Sequence, residues 1–151
     1  MFDVEITPWN NFVMNSDAQN PNLDTAKRDA ALANLFMNLT NNGGFNSFLT
    51  STYDFDAHDF FLALQRTGAN IAADHLRRVL DGLGVPLLVS SQSERWDVLE
   101  LYWTDDLDEL DTLSREADLQ LTTLLTEHVE NNQEYYLGLT ADWSFLEGKA
   151  Q

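Results

Sequence analysis

The sequence predicts an all-α fold, a single-domain helical bundle, and three observations carry that reading. Large apolar residues recur at i, i+3, i+4 and i+7 through much of the 151-residue chain. Glycine pairs and Gly/Pro clusters interrupt those runs at lengths typical of globular helices. The one run that suits a strand, Leu87-Leu88-Val89, has no second strand to pair with and reads as a buried connector. An apolar fraction of 44% and an aromatic fraction of 11% are too high for a disordered chain, and the length suits one hydrophobic core.

In chain order, residues 1–22 mix Phe2, Ile6, Trp9, Phe12 and Val13 with Asn, Ser and Pro21, an irregular or short-helical lead-in to an acidic helical domain over 23–151. From Asp24 a helix carries Leu32, Leu35, Phe36 and Leu39 on one face and stops at Asn41-Asn42-Gly43-Gly44, where one of the glycines is the expected left-handed cap. Phe45, Phe48 and Leu49 then line one face of a short helix. Asp54 or Asp56 suits the cap of the next, which carries Phe60, Phe61 and Leu64 and ends at Gly68. A further helix runs from about Ala69 to Leu80, where Gly82, Gly84 and Pro86 break it. Ser91 followed by Glu94 is a capping box opening a helix with Trp96, Leu99 and Trp103. The last long helix, about Leu110 to Asn131, holds Leu113, Ala117, Leu121, Leu124, Leu125 and Val129 at helical spacing. The expected core comprises Leu35, Phe36, Phe45, Phe48, Phe61, Leu64, Leu76, Trp96, Leu99, Leu121 and Leu124, with Trp143 the expected exception to aromatic burial.

Charge narrows the function classes. Against 25 Asp and Glu stand 8 Lys and Arg, a formal net charge of -17. That field repels phosphates and anionic lipid, which excludes direct nucleic-acid binding, and it attracts cationic protein surfaces. Without cysteine there is no disulfide, thiol nucleophile or thiolate metal site. No basic leader and no long apolar run is present, so a cytoplasmic protein with no membrane partner is expected. The acid is also uneven. Residues 1–95 carry 11 acidic and 6 basic side chains and residues 96–151 carry 14 and 2, which leaves -5 and -12.

Within 97–111 lie Asp97, Glu100, Asp105, Asp106, Asp108, Glu109 and Asp111 with no Lys or Arg. On a continuous helix Asp105, Asp108 and Glu109 share the face opposite Leu107 and Leu110, with Asp106 and Asp111 on its flanks. Glu127, Glu130 and Glu134 extend the acidic row on the final helix. Carboxylates at i, i+3 and i+4 advance about 4.5 to 6 Å along a helix, a spacing that approximates a row of phosphates. These ten carboxylates are the candidate partner-binding residues. The plainer readings are a solvated face and an adaptation to salt.

The stretch Leu39-Thr40-Asn41-Asn42-Gly43-Gly44-Phe45-Asn46-Ser47-Phe48-Leu49 resembles the signature of the DMP-type DNA-mimic family of acidic bacterial helical proteins. Ala63-Leu64 through Gly68-Ala69 and Ala72 is similar to the family's short helix ending in a Gly-Ala step, and Leu110-Asp111 to its Leu-Asp step, so the resemblance covers residues 30–132 in order. Two positions depart from the pattern: Leu39-Thr40 stands where the family carries an acidic residue, and Leu49 where it has a second aromatic. The resemblance implies a monomer or homodimer whose acidic surface imitates DNA and occupies the DNA-binding face of a helix-turn-helix transcriptional regulator. An immunity-type protein that neutralises a toxin or effector enzyme is the alternative.

No enzyme activity and no cofactor is expected. Asp54, Asp56, His58 and Asp59 could suit an oxygen-preferring metal, yet they lack the glycine turn and closing Glu of a calcium loop and read as capping and solvated residues, so no metal site is assigned. His75 and His128 fit no zinc-binding spacing. No Lys-Ser or Lys-Thr follows Gly43-Gly44, which reads as a helix terminus rather than a phosphate loop.

Overall fold

The computed structural model describes residues 7–50, 57–83 and 92–139, apart from the side chains of 92–95 and Val98. Among the described residues there are eight helices: α1 (Pro8–Asn15), α2 (Thr25–Thr50), α3 (Ala57–Thr67), α4 (Asn70–Leu83), α5 (Gln92–Tyr102), α6 (Asp105–Asp108), α7 (Arg115–Glu130) and α8 (Gln133–Leu137). Among the described residues there is no strand, and the fold is all-α. The connector Leu87-Leu88-Val89, the capping box at Ser91 and Glu94, the caps Asp54 and Asp56, and Trp143 lie outside the described residues.

The long helix α2 is the spine, packing against α3, α5 and α7. Asp24 opens it: its Oδ1 accepts from the backbone N–H of Lys27 at 2.9 Å. The helix bends sharply at Gly43 and Gly44, so that residues 25–42 and 45–50 form two arms. Gly44 has φ 76° and ψ -168°, a region open almost only to glycine. The bend brings Phe36 on the first arm edge-on to Phe45 and Phe48 on the second, at ring-centroid separations of 5.7 and 5.0 Å. Phe48 meets Phe60 of α3 in the same manner at 4.9 Å. Such contacts add about 0.5 to 1.5 kcal/mol each beyond area burial.

Gly68 ends α3 with φ 89°, and the N–H of Ala69 returns to the carbonyl of Leu64 at 2.8 Å, a Schellman-type stop. Helix α4 continues through Gly82 to Leu83 instead of stopping at Leu80. The space a Cβ would take at Gly82 is filled by the side chain of Leu107 from α6. A glycine that reads as a breaker is therefore a seat for a side chain from another helix.

The final helix starts at Arg115, later than its periodicity suggests, because Ser114 caps it by accepting from the N–H of Ala117 at 3.1 Å. Its inner face buries Ala117, Leu121, Leu125 and Val129. Helix α1 packs against α7 and α8 and places Phe12 fully inside the core. The amides of Asn11 and Asn15 donate to the carbonyls of Tyr136, at 2.7 Å, and Leu139, at 3.4 Å, which satisfies exposed acceptors at the end of α8.

Of the expected core, Phe36, Phe45, Phe48, Leu64, Leu76, Leu99 and Leu121 are buried, while Leu35, Phe61 and Leu124 sit half-buried at its edge. Trp96 is a correction, since it is 54% exposed. Trp96 lies one helical turn before Leu99, which α5 buries, so helical period alone does not separate the two, and Trp96 stays outside because the described packing against α2 covers Leu99 and not the indole ring.

Candidate protein-binding surface

The helical face expected to carry Asp105, Asp108 and Glu109, with Asp106 and Asp111 on its flanks, is broken into parts. Helix α5 ends at Tyr102, Thr104 adopts an extended conformation, and α6 lasts a single turn, followed by the turn and bend of residues 109–112. Leu107 is buried and Leu110 half-buried, so the inward anchors hold, while Asp105, Asp106, Asp108 and Glu109 are exposed around the turn. The reason for the break lies in α2. Phe45 and Asn46 begin its second arm with no local cap. The Phe45 N–H donates to the carbonyl of Asp111 at 2.6 Å, and the Asn46 N–H donates to Asp111 Oδ1 at 2.9 Å. These bonds satisfy orphan donors at a helix start and set a carboxylate against its positive end.

Asp111 is thus half-buried and turned inward, unlike its neighbours. Gly44 permits the approach: a Cβ there would collide with the Asp111 carbonyl oxygen and lie 2.7 Å from Oδ2. His75 of α4 completes the junction, its Nε2 bonded to the Leu110 carbonyl at 2.8 Å and its ring stacked on Phe45 at 4.8 Å. The glycine block and the Leu-Asp step, 65 residues apart, are two sides of one contact. Asp108 is held differently, accepting from the Trp103 indole N–H at 2.8 Å. Asp97 and Glu100 are exposed on α5, Glu127 and Glu130 on α7, and Glu134 on α8.

Partnering divides these carboxylates from those earlier in the chain. Among the described residues the ion pairs are Lys27–Asp24, Arg66–Asp29, Arg77–Asp74, Arg77–Asp81 and Arg78–Asp74. Every acid in that set precedes residue 82. Asp29 is buried on α2 and gripped by the Arg66 fork, Nε to Oδ2 at 2.8 Å and Nη2 to Oδ1 at 3.0 Å. The hydrogen bond to that carboxylate raises the Arg66 pKa, and hydrogen bonds from Lys27 and Arg77 hold Asp24 and Asp74 below the usual carboxylate range. From Asp97 onward no described carboxylate has an ion-pair partner among the described residues.

Sequence reasoning missed one buried polar cluster. His128 Nε2 meets the Tyr136 hydroxyl at 2.7 Å, with Phe12 edge-on to Tyr136 at 5.3 Å. Burial and the nearby Lys27 lower the His128 pKa, and burial raises that of Tyr136. The spacing of eight residues from His128 to Tyr136 crosses the α7–α8 turn, so helical periodicity gave no signal. His58 is exposed and stacks on Phe61 at 6.3 Å, and no group of three or more His, Cys, Asp or Glu among the described residues is placed to hold a metal ion. No helix is long and apolar enough to cross a membrane among those residues.

The fold and this surface define a helical acidic domain in which a glycine-kinked helix anchors a carboxylate-rich segment. The DMP19-like protein family model matches residues 21–132, and the chain belongs to that family. Neither the curated proteins nor the solved structures gave a match. The family match begins after α1 and ends before α8, which pack on each other.

Proposed function

We propose that the chain acts by binding rather than by catalysis, as a DNA mimic whose acidic half occupies the DNA-binding surface of a basic protein such as a helix-turn-helix transcriptional regulator. The observation that carries this reading is the exposed set Asp97, Glu100, Asp105, Asp106, Asp108 and Glu109, which has no cationic partner among the described residues. Unpaired like charges cost a surface helix a few tenths of a kcal/mol per neighbouring pair, and an ordinary surface relieves that cost by interspersing Lys. A cationic partner relieves it on binding and is steered toward the face. Family membership supports the mimic reading. Asp111 serves as the internal anchor, and Asp108, oriented by Trp103, presents a fixed charge.

The test is competition with DNA for basic DNA-binding proteins from the native source, across a salt series. Displacement of DNA that weakens steeply with salt is the expected result. Asp105→Asn, Asp108→Asn and Glu109→Gln combined keep shape and the acceptor for Trp103, and they should lower partner affinity tenfold or more, about 1.4 kcal/mol. Unchanged affinity and salt dependence would reduce the face to a solvated surface. Inhibition of a nuclease without DNA displacement would move the chain to the immunity class.

A further inference from the structure

The exposed edge of α5 adds a feature that a row of carboxylates alone lacks. Trp96 and Glu100 stand at i and i+4 on one face of α5, and Trp103 follows immediately past the helix's last residue, Tyr102. Trp96 is 54% exposed, Glu100 is exposed, and Trp103 is half-buried with its indole N–H committed to Asp108. Aromatic ring and carboxylate therefore alternate along this edge and lead onto α6. An aromatic this large is left more than half in water on a helix that buries Leu99. No described cation lies within ion-pair distance of Asp97 or Glu100.

We propose that this exposed face of α5 is an arginine-selective subsite, in which a guanidinium from a cationic segment of the partner stacks on the Trp96 indole while Glu100 accepts from its N–H groups. The proposal rests on the reading of a basic partner and names the side chain it presents. Charge complementarity sets the sign of the occupant, and the ring chooses between the two cations. A guanidinium is planar and weakly hydrated, and it stacks on an aromatic face while donating in its own plane; an ammonium is a compact, strongly hydrated point charge. Residues i and i+4 on a helix lie about 6 Å apart, within reach of one arginine making both contacts. Arginine is also the commonest reader of guanine in the major groove, so a surface that selects it selects a DNA-binding face over a generally lysine-rich one.

The experiment titrates the full chain at low salt with hexa-arginine and hexa-lysine peptides. Wild type is compared with Trp96→Leu, which keeps an apolar side chain but removes the π face, and with Glu100→Gln. Far-UV spectra check that the fold is kept. The expected result is a preference for hexa-arginine of about two- to fivefold. Trp96→Leu should abolish it with hexa-lysine affinity unchanged, and the indole N–H resonance that Trp96→Leu removes should shift on hexa-arginine binding. Equal affinity for the two peptides, or a preference that survives Trp96→Leu, overturns the subsite while leaving the acidic-interface reading intact. Binding of neither peptide overturns both. A wild type that sediments as a dimer while Trp96→Leu is a monomer assigns the face to a second copy of the chain, and the arginine subsite falls.

Discussion

Asp29 and Glu100 are both carboxylates on helices of the same spine contact, α2 against α5, yet their surroundings are opposite. Asp29 is buried beneath the forked guanidinium of Arg66, whereas Glu100 stands exposed with no described cation near it. The contrast holds for the two regions as wholes. In residues 24–81 the bases neutralise acids within one helix turn or across α2 and α3; in residues 97–134 no described acid has a described cation as partner. Uniform salt adaptation spreads acid and leaves no such boundary. Charge in the first region is paired inside the fold, mostly within one helix and once, at Arg66–Asp29, between α2 and α3, while charge in the second has no described cation beside it.

The contact between the two regions is the most sensitive place to break. Gly44→Ala forces a side chain into a left-handed backbone and against Asp111, and should cost about 3 kcal/mol in chemical denaturation. A midpoint equal to wild type would show that Asp111 does not depend on that close approach. Asp111→Asn, which keeps the acceptor for Asn46, should be far milder than Gly44→Ala and leave partner affinity within a factor of about two, because the charge faces inward.

The next effect sharpens the contrast of paired and unpaired acid. Arg66→Met leaves Asp29 buried without its counter-ion and should lower the thermal midpoint by several degrees, whereas adding Asp29→Asn should recover part of the loss. Full additivity of the two changes would mean that the pair is not coupled.

A smaller effect depends on pH. The His128 pKa is held below its ordinary value of 6.5 by burial first, and then by Lys27. Above about pH 6.5 the ring is neutral in both states and its contribution is complete. As pH falls through that value the unfolded chain takes the proton first, so stability is lost until the folded histidine also protonates. His128→Gln should flatten that acid-side loss relative to wild type in urea midpoints measured from pH 7.5 to 5. Parallel curves would show that another group carries it. Smallest of all, the triple neutralisation at Asp105, Asp108 and Glu109 should raise stability by a few tenths of a kcal/mol, the sign opposite to Arg66→Met.

Much of the architecture was legible from local pattern. The helical runs through Leu32, Phe36 and Leu39 and through Leu121, Leu125 and Val129 depend on residues within a few positions of each other, as does the Gly68 stop. The candidate carboxylates were legible as a composition bias, because charge imbalance over a segment needs no fold to be counted. Their arrangement was not. The spacing of Asp105, Asp108 and Glu109 against Leu107 and Leu110 reads as one helical face, and nothing within a helical turn of Asp111 reveals that its acceptors are needed by Phe45 and Asn46. Trp96 was equally opaque, since an aromatic at helical spacing looks the same whether or not a neighbouring helix covers it.

The sequence by itself determined that the chain forms helices, where glycine halts α3, and that its acid gathers behind residue 96; these follow from backbone preference, side-chain period and charge, each a short-range property. The tertiary structure decided how helix ends are satisfied and which acids are free. The second arm of α2 is capped by Asp111, and the N–H of Ile71 near the start of α4 donates to the Gln120 side chain of α7 at 3.0 Å. In both cases the acceptor arrives from tens of residues away. An orphan N–H needs a partner within about 3 Å in space, and chain separation places no limit on where that partner comes from.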